Sequence, residues 1–257
     1  MRDARWGWLG ALAGVAFGLL VFAPASWLAG LLATGTDRHL LALQPRGTIW
    51  NGSARIVLSG GASSRDALVL PGRFSWQLRP RWTGLSLQLR ADCCVPEPLH
   101  VVAGPRWGGW ALAWADNTSQ WPAAMLAGLG SPWNTVQAQG QLVLTLQGLS
   151  LEWVAGRPLL HGSASLDAMA VSSRLSTLQP IGSYRLRLVG NGQAEPPQLQ
   201  LQTLEGSLQL SGSGQWTGGR WNFRGQASAS ADDQVVLGNL LNIVGRRQGA
   251  HSIIAVD

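Results

Sequence analysis

The chain has 257 residues and a formal net charge of +6, carried by arginine alone because lysine is absent. Hydrophobic residues make up 46% and charged residues 12%, the latter about half the usual share. That balance excludes a disordered chain, and two cysteines exclude a disulfide-stapled mini-protein. A single long uncharged stretch argues against a polytopic membrane protein. The arginines are scattered and form no cluster beyond Arg246-Arg247, so nucleic acid is not an expected partner.

Residues Trp6 to Thr36 carry no charge. A helix over Trp8 to Leu32 would reach about 37 Å at roughly 1.5 Å per residue, enough to cross a bilayer with tilt. Trp8 and Trp27 sit near its two ends as interfacial anchors do, with Leu20 and Leu32 in the apolar run. Pro24 would kink or shorten the helix. The rival reading is a cleaved signal peptide, with Arg2 and Arg5 as the charged start and Ala23-Pro24-Ala25 as the cleavage site. The apolar stretch continues past that site, which favours a retained anchor. The expected division is a short cytoplasmic start and transmembrane anchor over 1–36, then an exported β-rich domain over 37–257.

Past residue 45 the dominant signal is alternation. Phe74, Trp76 and Leu78 alternate with polar residues, as do Leu85, Leu87 and Leu89. Leu142, Leu144 and Leu146 continue the pattern, then Leu149, Leu151 and Trp153, then Tyr184, Leu186 and Leu188. Leu199-Leu201, Leu208-Leu210 and Trp221-Phe223 follow. Period two over short runs means strands with one buried face. Glycine and proline punctuate them at hairpin spacing. The expected fold is therefore mainly β: one N-terminal transmembrane helix, then a curved, mostly antiparallel sheet of about ten strands. Open edges on such a sheet would need a cover.

Two short helices are expected within this pattern. One runs from Trp121 to Leu129, with Pro122 at its first position, Ser119 as a cap and Gly130 as its stop. The other runs from Asp233 to about Val244. Leu237, Leu240, Leu241 and Val244 share one face and should pack on the sheet. Asp232 or Asp233 would cap its start, and Arg246-Arg247 would suit the negative end of its dipole.

No chemistry-bearing set emerges. His39, His100, His161 and His251 stand far apart and pair with no ligand at metal spacing. There is no nucleophile elbow, phosphate loop or dinucleotide fingerprint. A Ser-Lys dyad is impossible without lysine. An enzyme is not expected, and no catalytic, cofactor or metal residue is nominated. Cys93 and Cys94 are adjacent; they form either a local disulfide in an oxidising compartment or two small residues at a strand end. Trp50, Trp76, Trp110, Trp114, Trp153 and Trp221 fall in strand patterns and are expected to fill space against the sheet. The alternative is an apolar trough for lipid.

Several segments in order resemble one family. They are Gly47-Thr48-Ile49-Trp50-Asn51-Gly52-Ser53-Ala54, Ser131-Pro132-Trp133-Asn134-Thr135 and Gly148-Leu149-Ser150-Leu151-Glu152-Trp153. Ser173-Arg174-Leu175-Ser176-Thr177-Leu178, Pro180-Ile181-Gly182-Ser183-Tyr184-Arg185, Leu204-Glu205-Gly206-Ser207-Leu208-Gln209-Leu210-Ser211-Gly212-Ser213-Gly214-Gln215-Trp216 and Leu240-Leu241-Asn242-Ile243-Val244-Gly245-Arg246-Arg247 complete the set. The chain resembles type II secretion system protein N of the general secretory pathway. The resemblance implies a single-span inner-membrane protein with a periplasmic domain. It would be a non-catalytic accessory subunit of the machine that exports folded proteins across the outer membrane. Implied partners are the inner membrane and other secretion subunits. A more distant resemblance, to AsmA-like proteins, implies an apolar β-groove that binds lipid. Neither brings catalytic residues or a cofactor.

Overall fold

The computed structural model describes residues 3–154, 157–192, 195–217, 219–230, 232–249 and 251–256. The N-terminal apolar run forms two helices, α1 (Asp3–Val21) and α2 (Ala25–Gly35). The expected continuous transmembrane helix is not found: among the described residues no helix is long and apolar enough to cross a membrane. Pro24, without an N–H, starts a new helix, and the break is held by the sheet. Ile49 N–H donates to the Ala23 carbonyl at 3.0 Å, and Pro24 bridges Thr48. Of the four expected anchor residues, Trp8 and Leu20 lie exposed on α1, while Trp27 and Leu32 lie on α2. Ala25 and Leu28 of α2 face Ala54 and Trp76 of the sheet.

The sheet is an antiparallel meander. β1 (Leu40–Gly47) and β2 (Asn51–Ser59) form its first hairpin, with the short β3 (Ala67–Val69) also paired to β2. β4 (Phe74–Arg81), β5 (Gly84–Ala91), β6 (Val95–Arg106) and β7 (Gly109–Trp114) continue it. β8 (Asn117–Pro122) and β7 pair with successive stretches of the same strand, β9 (Gln139–Val154). Next come β10 (Arg157–Ser172), β11 (Gly182–Asn191), β12 (Gln198–Gly206), β13 (Leu208–Thr217) and β14 (Arg220–Ala229). The last two strands, β15 (Arg246–Gln248) and β16 (His251–Val256), lie beyond β14 with β16 between. β1 and β15 are the ends of the path, so the sheet is open.

The sheet has 16 strands, not about ten. The missed strands lack alternation. β1 contains Gln44-Pro45, which form a bulge; β6 holds three prolines; β10 has Gly, Ala and Ser throughout its central stretch. Conversely, the runs at 142–146 and 149–153 are one strand. Gly148, at φ 55°, makes a bulge that keeps both leucine sets on one face.

The helices also differ from expectation. Trp121 and Pro122 end β8, and only Ala123–Leu129 is helical, as a 3-10 turn that stops at Gly130 (φ 81°). Ser119 accepts a hydrogen bond from Trp121 Nε1 at 2.9 Å rather than capping a helix. A further short helix, α3 (Trp133–Val136), follows. The C-terminal helix is α4 (Gln234–Val244). Asp233 precedes it without a side-chain cap and instead accepts from Ser230 Oγ at 2.8 Å. Arg246 and Arg247 open β15 and leave the last helical turn without a base.

Candidate functional site

Strand alternation sorts the side chains onto two faces. One is apolar along the whole sheet. A single rung runs Leu144, Leu166, Leu186, Leu201, Gly212, Gly225 and Ile254 from β9 to β16. Another runs Leu151, Leu112, Ala103, Leu85 and Pro80 from β9 back to β4. Gly212 makes room for an aromatic ring: a Cβ there would lie 2.5 Å from Phe223 Cζ. Helices cover parts of this face. α4 places Leu237, Leu240 and Leu241 in a buried cluster with Ile181, Tyr184, Leu208 and Ala227, and Val244 packs against it. The 3-10 turn brings Met125 and Leu129 against Leu58, Leu70 and Phe74. Elsewhere Leu151, Leu160, Leu188 and Leu199 are only half-buried.

The other face is basic. Arg46, Arg55, Arg79, Arg81 and Arg90 lie on it in β1–β5. Arg106, Arg157, Arg185, Arg187, Arg220, Arg224 and Arg246 lie on it in β6–β15. The acids paired into this face, among the described residues, are Glu152, Asp167 and Glu205. The arginines that look scattered in the sequence are thus gathered by a period of two.

The centre of this face is a cavity of about 330 Å³ lined by Thr145, Gln147, Ser163, Ser165, Asp167, Arg185, Arg187, Gln200 and Gln202. Arg185 donates to both oxygens of Asp167, from Nε and Nη2, each at 2.7 Å. Those bonds hold the Asp167 carboxyl below its ordinary range and raise the guanidinium. Two residues along β11, Arg187 sits in the rung Thr145, Ser165, Arg187, Gln200, Ser213, Arg224. Arg187 and Arg224 are three strands apart, about 14 Å at the usual spacing. Nearer the hairpin ends, Arg106 pairs with Glu152 at 3.3 Å.

The remaining candidates lie elsewhere. Cys93 and Cys94 are joined by a disulfide at the β5–β6 turn. Cys94 is buried beside Phe74 and Val95. Tyr184, under α4, has a buried hydroxyl with no hydrogen-bond partner among the described residues, and burial pushes its phenol up. Among the described residues no group of His, Cys, Asp and Glu could hold a metal ion. The sequence signal for the basic face was present in Arg185-Leu186-Arg187 and Arg79-Pro80-Arg81, where arginine occupies the solvent phase of the alternation.

An open sheet with one apolar and one basic face is a scaffold that presents surface. Residues 39–253 match the family model described as type II secretion system (T2SS), protein N. The chain belongs to that family and is a type II secretion system component. No curated protein and no solved structure matches it.

Proposed function

We propose that this protein is a non-catalytic accessory subunit of the type II secretion system, held at the inner membrane with its sheet in the periplasm. There it would support export of folded proteins across the outer membrane. Its basic face receives another secretion subunit through an acidic surface. The observation that carries this reading is the arginine excess on one side of the sheet, in a chain of the secretion family. Facing charges of opposite sign steer encounter and fix orientation more than they add affinity. The test is co-purification of the secretion complex from detergent-solubilised envelopes. Arg187→Glu with Arg224→Glu should lower recovery of the partner about tenfold and leave folding intact, since both side chains project from an already polar face. Unchanged recovery would remove the basic face from the account.

A second reading is an AsmA-like envelope protein that holds lipid along its apolar face. The half-buried leucines at 151, 160, 188 and 199 favour it. Acyl chains recovered from the purified protein would support it.

A further inference from the structure

Two neighbouring hairpin tips carry the same short sequence. The β4–β5 tip reads Pro80-Arg81-Trp82-Thr83-Gly84, and the β6–β7 tip reads Pro105-Arg106-Trp107-Gly108-Gly109. Trp82 and Trp107 are fully exposed, at 107% and 98%. At that exposure neither ring is packed against the described residues, so the space-filling role that explains Trp76 does not explain them. β5 and β6 pair directly, so the two hairpin tips stand about 10 Å apart at one end of the sheet. Trp110 and Trp153, stacked with centroids 6.3 Å apart, flank the same end.

That end also receives the N-terminal helices. Trp50, in the β1–β2 turn, donates from Nε1 to the Leu20 carbonyl at 2.9 Å, and the α1–α2 break lies against the same turn. Exposed Phe17 and Phe22 flank that junction, at the same end of the sheet as the two tips. Phe17, Leu19, Leu20 and Phe22 are all more than half exposed, an apolar surface too concentrated for water alone.

We infer that the Trp82 and Trp107 tips seat in the headgroup region of an anionic bilayer, so that this end of the sheet faces the membrane. Tryptophan is the side chain that favours that region, because its ring is apolar and its N–H is a donor. Arg81 and Arg106 are next in sequence to Trp82 and Trp107; Arg106 is paired with Glu152 but its side chain is 61% exposed, so both guanidinium groups remain within reach of lipid phosphates. No acid occurs from Leu78 to Leu112 except Asp92 and Glu97, and both belong to the opposite end of β5 and β6. A protein partner is the competing occupant. The continuity of the tips with the apolar α1 favours the bilayer.

This inference deepens the membrane placement proposed above. Its test uses the full chain labelled with 5-fluorotryptophan, in nanodiscs of phosphatidylethanolamine and phosphatidylglycerol that contain a gadolinium-chelate lipid. Trp82→Phe, Trp107→Phe and Trp133→Phe assign the three fluorine signals. Trp133 is the control, because it lies in α3 near the opposite end of the sheet. The Trp82 and Trp107 signals should broaden, the Trp133 signal should not, and replacing phosphatidylglycerol by phosphatidylcholine should reduce the effect. Equal broadening of all three signals, or none, would overturn the inference. So would a shift of the tip signals on adding purified secretion subunits without lipid. Loss of cargo export in a deletion strain is independent of these signals, so failure here leaves the secretion reading standing.

Discussion

Leu241→Ala should destabilise the domain by about 2–5 kcal/mol in urea unfolding, the usual cost of truncating a packed leucine. Leu241 and Leu237 are fully buried, and both close the end of the sheet formed by Ile181, Tyr184, Leu208 and Ala227. The small residue at Ala227 matters to this fit, because it lets the bulky helix face approach the strand. If α4 were instead a partner-binding helix, the same change would leave the unfolding midpoint in place. Val235, on the opposite side of the helix and exposed, supplies the control: its replacement by Ala should change stability little.

Trp76→Ala should cost about 3–5 kcal/mol. Trp76 is buried between Ala54, Leu87, Leu89 and the α2 residues Ala25 and Leu28. Its Nε1 donates to the Ile49 carbonyl at 3.1 Å, tying the β1–β2 turn to β4. Two effects therefore add: a large cavity, and an acceptor left without its donor. Trp76→Phe fills most of the cavity and should recover most of the loss. A midpoint for Trp76→Ala within error of wild type would mean that α2 is not held by this cluster.

Much of the β architecture was legible because leucine and tryptophan alternate with serine and glutamine in β4, β5 and β12, with arginine in β11, and with Thr145, Ser150 and Glu152 in β9. Where the buried side of a strand is made of small residues, alternation carries no contrast. β10 is the clearest case: Gly162, Ala164 and Ala168 share the apolar face with Leu160 and Leu166, and the other side mixes Leu159, His161, Ser163, Ser165 and Asp167. Pairing partners on both sides, not its own hydrophobicity, make it a strand. The N-terminal segment failed for a different reason. Hydropathy reads Trp8 to Leu32 as one element, but Pro24 and the capture of Ala23 by Ile49 divide it. Proline marked the place, and only the sheet decided that a break rather than a kink resulted.

The basic face shows the reverse relation. No local window of sequence is strongly basic, yet Arg185, Arg187, Arg224 and Arg246 share one side of β11 to β15. Register converts a dispersed charge into a directional one. The Cys93–Cys94 pair was visible as a possible bond, but its place beside Phe74 and Val95 depends on β5 and β6 meeting at that turn.

The most direct test of the central claim is the distribution of a type II cargo enzyme between medium and periplasm in a strain lacking this chain. Extracellular cargo should fall and folded, active cargo should accumulate in the periplasm, with both restored by the wild-type chain. Normal extracellular cargo in the deletion strain would contradict the claim.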